Sequence, residues 1–137
     1  MYRKILVPMA LDHDISTETL SIAQALLEPG GEIVGLHVYE MASGSVAAYL
    51  DADVVQAGFD RAKALLKEKT QSIKGVTPVI VKGHTARSII DYATANAVDC
   101  IVIGSHKPGL GDFLLGSTAA RVVRHAPCAV HVRRDPA

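Results

Sequence analysis

What the chain lacks narrows its function before any motif is read. Lysine plus arginine equal aspartate plus glutamate at 14 each, so it carries no basic excess of the kind that drives binding to nucleic acid or an acidic membrane. No apolar run approaches the roughly 20 residues of a membrane span, and Ile5 to Leu11 is interrupted at once by Asp12-His13-Asp14. A soluble, unprocessed, cytoplasmic protein is expected, with neither nucleic acid nor membrane among its partners. There are only two cysteines, Cys100 and Cys128, both expected inside strands. That placement suits small buried hydrophobes in a reducing compartment better than a redox pair. The six histidines show no H-x-x-x-H or Cys/His cluster, so a zinc site has no spacing to support it. Asp12-His13-Asp14 reads as a cap ahead of a helix more readily than as a metal triplet, because adjacent ligands on one loop seldom converge.

Three catalytic or cofactor signatures are also missing. Gly111 and Gly116 have Walker A spacing, but Ser117 and Thr118 follow where Lys-Ser/Thr is required. There is no contiguous G-x-G-x-x-G and no G-x-S-x-G elbow, so Ser105 or Ser117 with His106 and Asp112 makes a poor nucleophile constellation. A hydroxyl-rich phosphate loop after the first strand, as a flavodoxin-like FMN carrier would need, is absent from Pro8 to Asp14. Binding is therefore favoured over catalysis.

What is present is concentrated between Ile101 and Thr118: an apolar strand, a glycine-rich loop and the start of a helix. Glycines allow close backbone approach and positive φ, and the helix start offers unpaired N–H groups and a positive dipole end. Together they make a phosphate cradle, against the plainer reading of a tight strand-to-helix turn. Within it, His106 is suited to bonding a phosphate or to bracing the turn, while Arg121 and Arg124 read as solvated surface charges.

Strand candidates fall at Lys4 to Pro8, Glu32 to Tyr39, Thr77 to Val81, Asp99 to Gly104 and Ala129 to Val132. Helical patterns lie between them at Ser16 to Leu27, about Ala52 to Ile73, Ala86 to Asn96 and Ser117 to His125. Ser16 and Thr85 read as N-caps, with Pro29-Gly30-Gly31 and Gly75 ending helices. Strict alternation of strand and helix predicts a single α/β domain over residues 1–137, an open parallel sheet with helices on both faces. Glu40 to Asp53 lacks periodicity and reads as a loop over the top of the sheet, placed to act as a lid. Ligands of such sheets bind outside the carboxyl ends of strands where strand order reverses, which puts the site between strands one and four.

Several short stretches occur in order: Lys4 to Pro8, Leu36-His37-Val38, Lys82-Gly83-His84, Gly104-Ser105-His106, and Leu115-Gly116-Ser117 followed by Arg124-His125-Ala126-Pro127-Cys128. In these the chain resembles the universal stress protein family over nearly its whole length. The resemblance implies the Rossmann-like, adenine nucleotide alpha hydrolase-like fold, five strands in the order 3-2-1-4-5. It also implies an adenine-nucleotide (ATP, ADP or AMP) binding module, with Mg accompanying the nucleotide, that acts in stress response through nucleotide-dependent contacts with unknown protein partners and hydrolyses ATP very slowly at most.

ATP-binding members carry G-x2-G-x9-G-[ST], and Gly104 and Gly116-Ser117 match its ends. Lys107 stands where the second glycine is usual and the loop is one residue shorter, similar to a subgroup with Asn-Pro or Arg-Pro at Lys107-Pro108. Gly109 or Gly111 is expected to supply the backbone freedom. The family's Pro-x-Asp after strand one reads here Pro8-Met9-Ala10-Leu11-Asp12, with Ala10 at the aspartate position and Asp12 a substitute two residues on. Val38 is the residue expected to meet the adenine, with the third strand near Val81 and Lys82 a weaker candidate. The expected binding set is thus Pro8, Met9, Ala10, Asp12, Val38, Gly104, His106, Lys107, Gly109, Gly116, Ser117 and Thr118. The alternative is a dimeric interaction protein of the same family that has lost nucleotide binding. The resemblance also implies a homodimer through Ala129 to Val132, because an apolar sheet edge left unpaired is an aggregation hazard.

Overall fold

A computed structural model describes residues 1–12, 15–41, 51–105 and 115–134. Five parallel strands run β1 (Tyr2–Pro8), β2 (Leu27–Glu40), β3 (Val76–Gly83), β4 (Cys100–Ser105) and β5 (Ala129–Arg134), in the spatial order β3-β2-β1-β4-β5. Among the described residues four helices connect them: α1 (Thr17–Leu26), α2 (Ala52–Thr70), α3 (Thr85–Ala95) and α4 (Ser117–His125). The order is the expected one, and β5 lies at an edge.

The central strands are apolar without alternation because both faces are covered. Ile5, Leu6 and Val7 of β1 are buried in succession, and they divide between two cores. Leu6, Val34, Leu36, Ile101 and Ile103 pack with Ile89 and Ala93 of α3 and Ala119 and Val122 of α4. Ile5, Val7, Ile33, Cys100 and Val102 pack with Leu20 and Ala23 of α1 and Leu66 of α2.

Three local expectations are corrected. Helix α1 ends at Leu26, ahead of Pro29-Gly30-Gly31, and Leu27 is already extended. The Pro-Gly-Gly segment lies inside β2, where the register with β1 jumps from Tyr2↔Leu27 to Lys4↔Glu32. A residue before proline is driven out of helical geometry, so the chain extends early and absorbs the surplus as an irregularity. Thr85 is not the N-cap of α3. His84 occupies that position, and the Thr85 hydroxyl donates instead to Glu40 Oε1 at 2.5 Å. Cys128 precedes β5 rather than lying within it.

Helix α2 stops at Thr70, short of Ile73, where the Thr70 hydroxyl donates to Leu66 O at 2.8 Å and a turn through Gly75 follows. Ser16 caps α1 as expected, its Oγ accepting from Thr19 N–H at 3.2 Å. Of the proposed lid, residues 42–50 lie outside the described residues. Among the described residues no helix is long and apolar enough to cross a membrane.

Candidate nucleotide-binding crevice

Strands β1 and β4 pair only at Ile5↔Cys100 and Leu6↔Ile101, yet β1 continues to Pro8 and β4 to Ser105. Their carboxyl ends therefore part, and this is also where the sheet's connections change direction: β1 leads to β2 on one side and β4 to β5 on the other. A crevice at such a switch point is the usual ligand position in open α/β sheets.

On the β4 side, Gly104 is exposed, and a Cβ added there or at Gly116 would meet nothing within 4 Å among the described residues. Gly116 caps α4 with φ 68° and ψ 146°, a conformation that glycine alone adopts without strain. The first helical bond runs from Ala120 N–H to Gly116 O at 3.0 Å, so the amides of Ser117, Thr118 and Ala119 precede the helix's own bonding. Ser105 Oγ donates to Leu115 O at 3.1 Å and joins the two ends of the glycine-rich loop. His106, Lys107 and Gly109, with Pro108, Gly111 and Asp112, lie outside the described residues, as do His13 and Asp14.

On the β1 side, Met9 is buried at 6 % exposure and Ala10 and Asp12 are exposed. The Met9 side chain lies across Gly35 of β2, where any Cβ would fall 2.8 Å from its sulfur. Met9 N–H donates to Leu36 O at 2.8 Å, and His37 Nδ1 bonds Met9 O at 2.8 Å. A carbonyl only accepts, so Nδ1 carries the proton in this bond. Met9 is thus a core anchor whose own backbone groups are engaged. Pro8 ends β1 opposite Leu36, half-buried. Val38 is 7 % exposed, within the core beneath α3 and α4 and in register with Val81.

The structure therefore brings Pro8, Met9, Ala10, Gly104, Gly116, Ser117 and Thr118 to the sheet's carboxyl end, while Val38 and Met9 turn their side chains into the core. Three residues outside the expected set bear on the crevice. His37 and Ser105 carry a readable signal, a polar side chain at the carboxyl end of an apolar strand. Arg133 carries none, because only the β4–β5 register sets it beside Gly104. Its guanidinium reaches Glu18 Oε2 at 3.9 Å. Backbone and Ser16 hydrogen bonds, then the Arg133 charge, hold the Glu18 carboxyl below its usual range.

Both cysteines are free, Cys100 opening β4 and Cys128 just ahead of the neighbouring β5, and they pack into opposite cores. Burial pushes the Cys100 thiol up to about 11 and raises that of Cys128 as well, so both remain neutral apolar groups near pH 7.

The sequence pattern of the universal stress protein family matches residues 1–134. A universal stress protein of Methanothermobacter thermautotrophicus is 28% identical over 98% of this chain and 97% of its own. Universal stress protein MJ0531 of Methanocaldococcus jannaschii is 31% identical over 99% of this chain and 84% of its own. Among solved structures, UspA from Lactobacillus plantarum superimposes with a TM-score of 0.71 at 26% identity, covering 97% of this chain and 98% of that one. An Arabidopsis thaliana family member, At3g01520, solved with AMP bound, superimposes at 0.59 with 19% identity, covering 98% and 92%. A universal stress protein in complex with cAMP does so at 0.62 with 20% identity, covering 96% and 97%.

Proposed function

The chain belongs to the universal stress protein family, and from that premise we propose that it is an adenine-nucleotide-binding module whose occupancy alters the surface seen by protein partners. The observation that carries this reading is the crevice where β1 and β4 part, with space at Gly104 open among the described residues and the amino end of α4 led by Gly116. Phosphates sit against the amides of Ser117 and Thr118, where an unpaired helix start and its dipole favour an anion. Lys107, His106 and Gly109 contribute from the loop. Adenosine lies toward Pro8, Met9, Ala10 and Val38, with Asp12 in place of the usual aspartate. ATP, accompanied by Mg, or ADP or AMP is the ligand. Family structures holding AMP and cAMP support that class. The protein works in the cytoplasm, without turnover beyond very slow hydrolysis.

Mass spectrometry of ligand released from the purified, denatured protein tests this. Near-stoichiometric ATP, ADP or AMP is the expected result. An empty protein that also ignores added ATP overturns it and selects the second reading, a partner-binding family member without nucleotide. Ala10, exposed at the aspartate position, favours that second reading.

In either reading the chain works as a homodimer, the edge strand β5 pairing antiparallel with its copy near Ala129 to Val132. Sedimentation at micromolar concentration should show a dimer that Val130→Pro dissociates. A monomer, or no effect of the proline, rejects the interface.

A further inference from the structure

Helix α2 is thinly attached. Of its 19 residues only Leu66 and Thr70 are buried. Between it and the outer strand β3 runs a groove of about 390 Å³, within the size range of small-ligand sites. Its apolar walls include Leu66, Pro78, Ile80 and Phe59, and the charged residues that line it are Lys63 and Lys67. Phe59 is held in place, edge-on to Tyr39 at 5.9 Å and beneath the Lys82 ammonium at 4.5 Å. Lys82 is thereby engaged, and it also donates to Gln56 Oε1 at 3.3 Å.

Lys63 and Lys67 are not engaged: both are exposed, and among the described residues neither has an ion-pair partner. They stand one turn apart on α2, where like charges destabilise a helix. An anion placed between them removes that repulsion, and the half-buried floor beside them is suited to a hydrocarbon tail. A peptide added as a strand fits poorly, because Pro78 deprives the free edge of β3 of a donor at the level of the groove.

We propose that the α2–β3 groove binds a single-chain amphiphile, its tail along Leu66, Pro78 and Ile80 and its anionic head between Lys63 and Lys67. This site is independent of the nucleotide reading, since it uses none of the crevice residues.

Calorimetry and amide NMR spectra of the full chain with decanoate, below its micelle-forming concentration, test it. Decanoate is expected to bind at least about tenfold more tightly than decanol or decyltrimethylammonium, with amide shifts centred on residues 63–67 and 78–80. The exposed double variant Lys63→Gln/Lys67→Gln should lose about tenfold in decanoate affinity or more, while its decanol affinity stays unchanged and its melting temperature does not fall. No binding, equal binding of all three probes, shifts centred on Gly104 and Gly116, or capture of an acidic peptide in place of decanoate overturns the proposal.

Discussion

The two ends of the β1–β4 pair are built differently. At the amino end Asp99 clamps the strands: its carboxylate accepts from Arg3 N–H at 2.9 Å and Lys4 N–H at 3.0 Å, and its own N–H donates to Lys4 O at 3.1 Å. At the carboxyl end the same strands part, and the chain there is braced by lone side-chain bonds to carbonyls, His37 to Met9 and Ser105 to Leu115. Charge-assisted bonds to backbone amides are the stronger kind, so the closed end holds the fold while the open end leaves room for a ligand. Stability and binding should therefore respond to different mutations.

The largest expected effect separates them outright. Gly104→Val should weaken ATP by roughly a hundredfold, about 3 kcal/mol, because the side chain enters the space assigned to phosphate. The melting temperature should hold. Gly116→Val should also abolish binding, but its positive φ adds backbone strain of about 1–3 kcal/mol, which makes Gly104 the cleaner probe. Unchanged calorimetric affinity in a folded Gly104→Val protein would move the site elsewhere.

Asp99→Asn should do the reverse, lowering unfolding free energy by about 2 kcal/mol in urea titrations with nucleotide affinity intact. Desolvation pushes the Asp99 carboxyl up, yet the Arg3 and Lys4 amides outweigh it and hold the group below its ordinary value of 3.8. A depressed carboxylate contributes its stability above the unfolded value and loses it as pH falls through the folded one. The wild-type advantage over Asp99→Asn should thus be full at neutral pH and shrink below about pH 4. An advantage that does not change with pH would assign the clamp to shape and not to charge.

Lys107→Ala should weaken ATP by about tenfold and AMP by less, since a charge-assisted contact gains with phosphate number. Equal losses, or none, would leave the phosphates to the amides of Ser117 and Thr118. The smallest effect belongs to His37→Phe. Losing the bond to Met9 O should lower stability by about 1 kcal/mol and affinity a few-fold, through a looser Pro8 to Asp12 segment. An undiminished affinity would show that the Met9 N–H bond to Leu36 suffices.

How much could be read in advance follows the range of the forces concerned. The run Ile5 to Val7, the Ser16 cap and the start of α4 at Ser117 obey local periodicity and capping, and all were legible. The positive φ at Gly116 was legible too, because backbone freedom is a property of that residue alone. The role of Thr85 was misread because a partner distant in sequence, Glu40, outcompeted the local signal, whereas the end of α1 was misplaced because Pro29 turns the chain out of the helix earlier than the glycines after it suggest. Asp99 looked like an ordinary strand-leading residue until β1 and β4 were neighbours. Arg133 reached the crevice only through strand register, and the α2–β3 groove exists only because a helix packs loosely on an outer strand. By itself, then, the chain determined its elements, their alternation and the place of a glycine-led helix start after β4, since each depends on residues a few places apart. Only the tertiary structure decided where β1 and β4 lock and where they part, because those contacts join residues more than ninety positions apart, and no local pattern encodes them.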